Sequence, residues 1–338
     1  MLLKEYYLVS QRKIPRLAIV EDHLPADLRL AFSAFQTYSL PGRFWRALLR
    51  GAFSAGLPLW VSRKVPVAQL PLPPEADFEK IDTLLGKNAA YPVFQFPYNP
   101  ERKKFSAFVR QGEKSYYLKC AFGPGSREEL KNEIAAIRRL SAARFEKFAI
   151  PRLLDSAISE NLVAAYYEPI PADTRQPKRW GAPFLEIWKE LAEKTRGESA
   201  LSELKWIEKL HAHPQWRSLL KDISAGTLII SQNHGDFLPW NIRYDASAWY
   251  LFDWEEAGEG APFLYDPLHY FTVYETLVKK KTPRQIAGAI APFLQNCNYL
   301  GVDLADYVLL SLGFQFINNR VLSKEVTLQI AAAYKSAK

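Results

Sequence analysis

The sequence predicts an α+β protein: a small antiparallel β-rich lobe, then a mainly helical lobe, with an additional segment in front of both. Three observations predict it. Apolar strand-like runs joined by short polar turns cluster between residues 91 and 168. From Phe184 onward, apolar residues recur mostly at spacings of three and four, interrupted by a strand, a loop and a hairpin at 227–253. Residues 1–90 follow neither pattern consistently. The expected division is therefore 1–90 as a basic, partly helical N-terminal extension, 91–168 as the β-rich lobe, and 169–338 as the helical lobe that carries the chemistry and the acceptor site.

Composition fits that reading. At 338 residues, with 48% hydrophobic and 24% charged residues, the chain is long enough for two or three packed units. Its two cysteines, Cys120 and Cys297, are too few for a disulfide framework or a zinc site, and suit a reducing compartment. No uncharged apolar run of membrane-spanning length occurs, and the first residues lack the order of a secretion signal, so a cytoplasmic protein is expected. The formal net charge of +8 invites anionic partners without selecting one. No nucleic-acid motif accompanies that charge, and no nucleic-acid partner is expected.

In the N-terminal segment, Tyr6–Val9 and Leu17–Val20 read as strands around the basic turn Gln11-Arg12-Lys13. From Leu28 to Lys64 there are six basic residues and no acidic one. Within Arg43–Arg50 the arginines share one helical face, while Phe44, Trp45, Leu48 and Leu49 tend to the other. Such a helix packs on its own domain or lies on an anionic membrane surface. The second case would place the protein at the periphery of the inner membrane face. Pro66, Pro71, Pro73 and Pro74 make 65–76 a stiff connector, and Glu75–Leu85 reads as a helix after it.

In the β-rich lobe, Pro92–Phe96, Phe105–Arg110 and Ser115–Ala121 are strand candidates, the last two joined by Gln111-Gly112-Glu113-Lys114. Lys119 lies on the third. Arg127–Leu140 reads as a helix because Leu130, Ile134, Ile137 and Leu140 recur at helical spacing, with Ser126 as a cap. The loop Phe96–Lys104 contains no glycine, so a backbone cradle for an anion is not expected there, and Arg102, Lys103 or Lys104 would meet one instead.

Leu162–Tyr167 is an apolar strand leading into Glu168-Pro169-Ile170-Pro171, read as a hinge. Helices are expected at Phe184–Lys194, Ala200–Leu210, Leu268–Lys279, Pro283–Gln295, Leu304–Asn318 and Lys324–Ala337. His211 and His213 suggest a helix end, not a metal pair. His269, Tyr270, Tyr274, Phe314 and Phe316 are candidates to line an acceptor site, with Trp240 beside the loop.

The chemistry concentrates in Asn233-His234-Gly235-Asp236-Phe237-Leu238-Pro239-Trp240-Asn241-Ile242 and Leu251-Phe252-Asp253-Trp254-Glu255. Thr227–Ser231 reads as a strand, 233–241 as a loop, and Ile242–Tyr244 with Trp249–Asp253 as a hairpin that brings Asn241 and Asp253 to one end. An Asp on a loop, an Asn five residues later and a second Asp after an apolar strand form the protein-kinase-like pattern for placing a base and holding magnesium. Phosphoryl transfer asks for positioning and charge neutralisation, which three converging oxygen-bearing side chains supply.

This segment resembles the aminoglycoside phosphotransferase and choline kinase group, whose loop reads His-Gly-Asp, four intervening residues, then Asn. Asp253-Trp254-Glu255 fits that group's metal motif, and Tyr265-Asp266-Pro267-Leu268-His269 its following acidic segment, where the Asp braces the site. The wider sequence is similar to putative phosphotransferases of bacterial surface-polysaccharide gene clusters. The resemblance implies a bilobal protein-kinase-like fold, with Asp236 as catalytic base and with Asn241 and Asp253 as ligands of Mg2+ and, through it, of ATP. It also implies Lys119 on the nucleotide phosphates, held by a helix Glu. Glu133 is favoured for that role, and Glu129 competes.

The function so expected is ATP- and Mg2+-dependent transfer of the γ-phosphoryl group to a hydroxyl of a sugar, glycan or related small molecule. A lipopolysaccharide or exopolysaccharide precursor is included in that class. Two other readings stand beside it: a pseudokinase scaffold, suggested by the glycine-free loop, and a peripheral membrane-binding module working through 28–64.

Overall fold

The computed structural model describes residues 5–11, 13–34, 40–74, 76, 78–85, 89–318 and 321–337. Arg12, residues 35–39 and Glu75, all used in the sequence reading, lie outside the described residues, as does the side chain of Arg43. The chain forms two compact units. One comprises 1–142, 149–177 and 242–255, and the other 143–148, 178–241 and 256–338.

The first unit is built on strands β1 Glu5–Gln11, β2 Ile14–Val20, β3 Arg63–Pro66, β4 Ala90–Gln95, β5 Lys104–Gln111, β6 Lys114–Ala121, β7 Leu153–Ile158 and β8 Val163–Tyr167. They form one sheet in the order β3-β1-β2-β4-β5-β6-β8-β7, antiparallel throughout. Helices α1 Pro25–Ala34, α2 Leu40–Ser54, α3 Phe78–Leu85 and α4 Pro124–Leu140 accompany it. Farther along come α5 Ala182–Thr195, β9 Gly197–Ala200, α6 Lys205–His211, α7 Pro214–Leu220 and β10 Thr227–Asn233. The hairpin β11 Ile242–Tyr244 and β12 Trp249–Leu251 returns to the first unit. After it follow β13 Gly258–Pro262, α8 Tyr265–Val273, α9 Pro283–Gln295, α10 Leu304–Asn318 and α11 Lys324–Ser336.

The sequence reading starts the sheet at 91, whereas in the structure it starts at Glu5. Leu17, Ala18, Ile19 and Val20 are all buried, so β2 has neighbours on both faces and both edges. It pairs with β4 through Leu17↔Gln95, Ala18↔Phe94 and Ile19↔Val93. Alternation then sends Ala18 and Val20 into one core with Phe94, Phe105 and Leu118, and Leu17 and Ile19 into another with Phe32, Leu49 and Phe53. Each such fully buried Val, Leu, Ile or Phe contributes about 1.5–3 kcal/mol relative to exposure.

The amphipathic helix expected at 43–50 is present as α2, but its apolar residues divide. At 100° per residue, Trp45, Leu49 and Phe53 fall on one face and pack into the sheet's second core. Phe44 and Leu48 fall outside that face and are 74% and 51% exposed.

The second unit has a three-stranded antiparallel sheet ordered β13-β10-β9, with α5–α11 around it. The helix expected from Ala200 begins at Lys205 because Gly197–Ala200 pair with Thr227–Ile230. The helix expected at Leu268–Lys279 begins at Tyr265, and its end widens into a π-type turn at Tyr274–Val278. Tyr270, Phe314 and Phe316, candidates for a lining, are core residues at 3%, 5% and 6% exposure. His211 ends α6 and His213 precedes α7, and no cluster of three or more His, Cys, Asp or Glu that could hold a metal occurs among the described residues. Nor is any described helix long and apolar enough to cross a membrane.

Candidate active site

In the first unit the site grows from β6 and α4. Leu118 and Cys120 point into the core, so period-two alternation turns Lys119 to the opposite face of the strand. Helix α4 buries the expected stripe Leu130, Ile134, Ile137 and Leu140, with Glu129 and Glu133 beside it. Its N-cap is Gly123, with no side-chain cap; Ser126, expected as the cap, lies inside the helix and donates its hydroxyl to the Arg102 carbonyl.

Lys119 Nζ lies 2.9 and 2.7 Å from the two carboxylate oxygens of Glu133, and 2.7 Å from Asp253 Oδ1. Burial works against the lysine's charge, but Asp253 and Glu133 outweigh it and hold the ammonium protonated. Burial pushes the Glu133 carboxyl up to about 7, Lys119 opposing and Asp253 adding to the rise. Asp253 has φ +69°, a left-handed conformation that an Asp tolerates at some cost.

The favoured Glu133 and the competing Glu129 separate here, Glu133 on Lys119 and Glu129 elsewhere. Glu129 accepts from Arg102 at 2.8 Å and from Lys104 at 3.3 Å. Lys104 also reaches Glu255 at 2.7 Å, and Arg102 lies 3.6 Å from the same carboxylate. Burial first, and Asp253 second, raise the pKa of Glu255, with Lys104 opposing. The glycine-free loop is shaped by Asn99, whose side chain caps the Pro100–Arg102 turn, and by Lys103 at φ +40°. Next to it opens a cleft of about 650 Å³ lined by Asn99, Arg102, Lys103, Gly123, Ser126 and Arg127 among others.

In the second unit the loop after β10 is tied to α8. Asp266, in the first turn of α8, accepts from the backbone N–H groups of His234 at 2.8 Å and Gly235 at 3.1 Å. Burial raises its carboxyl to about 6 against those two hydrogen bonds. Gly235 has φ +85°, and a Cβ there would lie 2.0 Å from the Glu256 carbonyl oxygen, so the turn requires glycine. Asp236 Oδ2 accepts from Asn241 Nδ2 at 2.7 Å and Trp240 Nε1 at 3.3 Å. His269 Nε2 lies 3.4 Å from Asp236 Oδ1. Asn241 also donates to the Asp236 carbonyl at 2.9 Å, which leaves its amide oxygen, the atom a hard cation takes, free of that bond.

Thus the structure brings Lys119, Glu133 and Asp253 together in one unit, and Asp236 and Asn241 together in the other. Sequence reasoning missed two features. His269 is fully buried against Asp236 and does not line an acceptor cavity; its position three residues after Asp266, on one helical face, was the available signal. The Arg102–Lys104–Glu129–Glu255 network joins positions far apart in sequence and carried no such signal.

A family model described as the phosphotransferase enzyme family matches residues 164–277. Among solved structures, the aminoglycoside phosphotransferase APH(4)-Ia is 12% identical, covering 78% of this chain and 99% of that one, at a TM-score of 0.48. A microcompartment-associated aminopropanol kinase is 13% identical over 77% and 96% of the two chains, at 0.43. A putative fructosamine-3-kinase from Haemophilus somnus 129PT is 10% identical over 76% and 95%, at 0.44. No curated protein sequence matches the chain. The matched segment spans Asp236, Asn241, Asp253 and Asp266, and over those residues the chain is similar to the phosphotransferase enzyme family.

Proposed function

We propose that the protein uses ATP and Mg2+ to move the γ-phosphoryl group to a hydroxyl of a sugar, glycan or related small molecule, a surface-polysaccharide precursor included. The observation that carries this reading is Lys119 gripped at once by Glu133 and Asp253. A partly buried ammonium held between a buried helix carboxylate and a carboxylate in a strained left-handed position is a costly arrangement for structure alone. It suits a lysine positioned for nucleotide phosphates.

The donor chemistry fits Mg2+. Asp253 offers a carboxylate and Asn241 an amide oxygen, both hard ligands, leaving coordination places for phosphate oxygens and water. Burial is the first cause of the raised pKa values of Glu133 and Glu255, and Asp253 adds to both, so a cation at Asp253 would ease the charge those carboxylates face. Magnesium, when bound, neutralises charge on the phosphates.

In the proposed reaction the acceptor oxygen forms a bond to the γ-phosphorus as the bond to the β–γ bridging oxygen breaks, and ADP leaves. Asp236 takes the hydroxyl proton. Asn241 and Trp240 hold its carboxylate by donating to Oδ2, and His269 flanks Oδ1. Asp266 fixes the turn from which Asp236 projects. The setting is the cytoplasm, where the ATP pool lies.

Thermal unfolding with and without saturating Mg-ATP, for wild type and Asp253→Ala, tests the reading. Ligand at about 100 times its dissociation constant adds roughly 2.7 kcal/mol. The expected shift needs Mg2+ and vanishes in the variant. One observation favours a second reading, a pseudokinase scaffold: Arg102 and Lys104, two of the three cations of the glycine-free loop, are already committed to Glu129 and Glu255. No shift in either protein would select it.

A further inference from the structure

We propose that the first unit docks on an anionic lipid surface through the outer face of α2 and the turn that follows it. This goes beyond the catalytic reading and does not depend on it. Five large apolar side chains between positions 44 and 60 are exposed: Phe44 74%, Leu48 51%, Leu57 42%, Leu59 61% and Trp60 81%. Phe44 and Leu48 stand one helical turn apart on the face of α2 turned away from the sheet, since the inward face is taken by Trp45, Leu49 and Phe53.

The turn is held against the helix end and is not a loose strand of chain. Leu57 donates its N–H to the Ala52 carbonyl at 2.8 Å, Trp60 donates to Leu57 at 3.2 Å, and the Ser62 hydroxyl donates to Pro58 at 2.6 Å. Gly56, at φ +72°, reverses the chain between them. Leu57, Leu59 and Trp60 are therefore presented by ordered backbone, with β3 pairing to β1 directly afterwards.

Charge complementarity commits the occupant. Between Leu28 and Lys64 all six charged residues are basic. Arg29, Arg50 and Arg63 are exposed. Lys64 is paired with Glu5 and Glu21, but apolar and aromatic side chains projecting beside the exposed Arg29, Arg50 and Arg63 match the boundary between anionic headgroups and acyl chains. The inward packing of the helix and the lipid contact are compatible, because different residues serve each.

The test uses the full chain with sedimented vesicles, either neutral phosphatidylcholine or the same lipid with about a third phosphatidylglycerol, compared with F44S/W60S and R50E. Both Phe44 and Trp60 are largely exposed, so the double variant keeps its fold, which a thermal melt verifies. Wild type is expected to sediment with the anionic vesicles and not with the neutral ones, and added salt is expected to weaken the binding. A loss of tenfold or more in F44S/W60S and a clear loss in R50E support the proposal. Failure of wild type to sediment with anionic vesicles overturns it, as does unchanged binding by F44S/W60S. A concentration-dependent dimer that disappears in F44S/W60S, without vesicle binding, overturns it in favour of a second copy of the chain.

Discussion

The ammonium of Lys119 lies 2.7 Å from Oδ1 of Asp253 while both oxygens of Glu133 hold its other side. Two carboxylates thus share one partly buried cation, and the stability of the arrangement depends on pH. Glu133 is raised from its ordinary range to about 7, by burial first and by Asp253 as well, with Lys119 opposing. Because the folded state binds the proton more tightly than the unfolded state, this stabilisation is complete below the ordinary carboxyl range. It is lost as pH rises through about 7.

Lys119→Met removes the opposing cation and leaves Glu133 buried beside Asp253. Breaking a buried pair by removing one partner costs about 3–5 kcal/mol, less where the remaining group can accept a proton. The variant is expected to melt well below wild type at pH 8, with a smaller gap at pH 6. Melting curves at the two pH values check this, and a gap that does not change with pH would mean that Glu133 does not become neutral.

Asp236→Ala is expected to lower the rate about 100- to 10,000-fold, the range for loss of a general base, with the fold retained. Asn241 and Trp240 would each lose their acceptor at Oδ2, but Asp236 is partly exposed and water can replace it. ATP consumption in the presence of acceptor is the measurement. Turnover near that of wild type would remove Asp236 from the role of base.

Gly235→Ala tests the backbone beneath that side chain. The position has φ +85°, and the new methyl would meet the Glu256 carbonyl oxygen at 2.0 Å. Strain alone is worth about 1–3 kcal/mol, and the contact forces the loop to move as well. Both melting temperature and turnover are expected to fall, because Asp236 is the next residue. A variant matching wild type in both would refute the turn geometry.

Much of this was legible in the sequence because it is local. Loop spacing, the β11–β12 hairpin, the α4 stripe and the boundaries of α9 and α10 depend on neighbours a few residues away, where periodicity and turn chemistry act. What stayed hidden is non-local. The two-sided burial of β2 becomes informative only once β4 lies beside it, so the sheet's true start was missed. Whether Phe44 or Trp45 faces inward depends on which side of α2 meets the sheet, and amphipathicity left both together. Glu129 and Glu133 differ by one helical turn, and only the placement of Arg102, Lys104 and Lys119 separates them. His269 looked like an available aromatic because its partner, Asp236, lies thirty-three residues earlier.

Asp266→Asn probes the brace with a sign that can be worked out beforehand. Asp266 is buried, accepts two backbone N–H bonds, and has its carboxyl raised from 3.8 to about 6, burial being the largest cause. Its proton is therefore bound more tightly in the folded state. The stability it confers is fully present below about pH 4 and is lost as pH rises through about 6, on the order of 3 kcal/mol in all. Asparagine does not titrate, so the variant lacks that slope. It also offers one acceptor oxygen where the carboxylate offers two, leaving one loop N–H unsatisfied at a cost of about 1–3 kcal/mol. Urea unfolding at pH 4, 5, 6 and 7 should show wild type furthest ahead of the variant at pH 4, with the lead shrinking towards pH 7. A lead that is constant over that range would show that Asp266 is ionised throughout, its two backbone donors outweighing its burial.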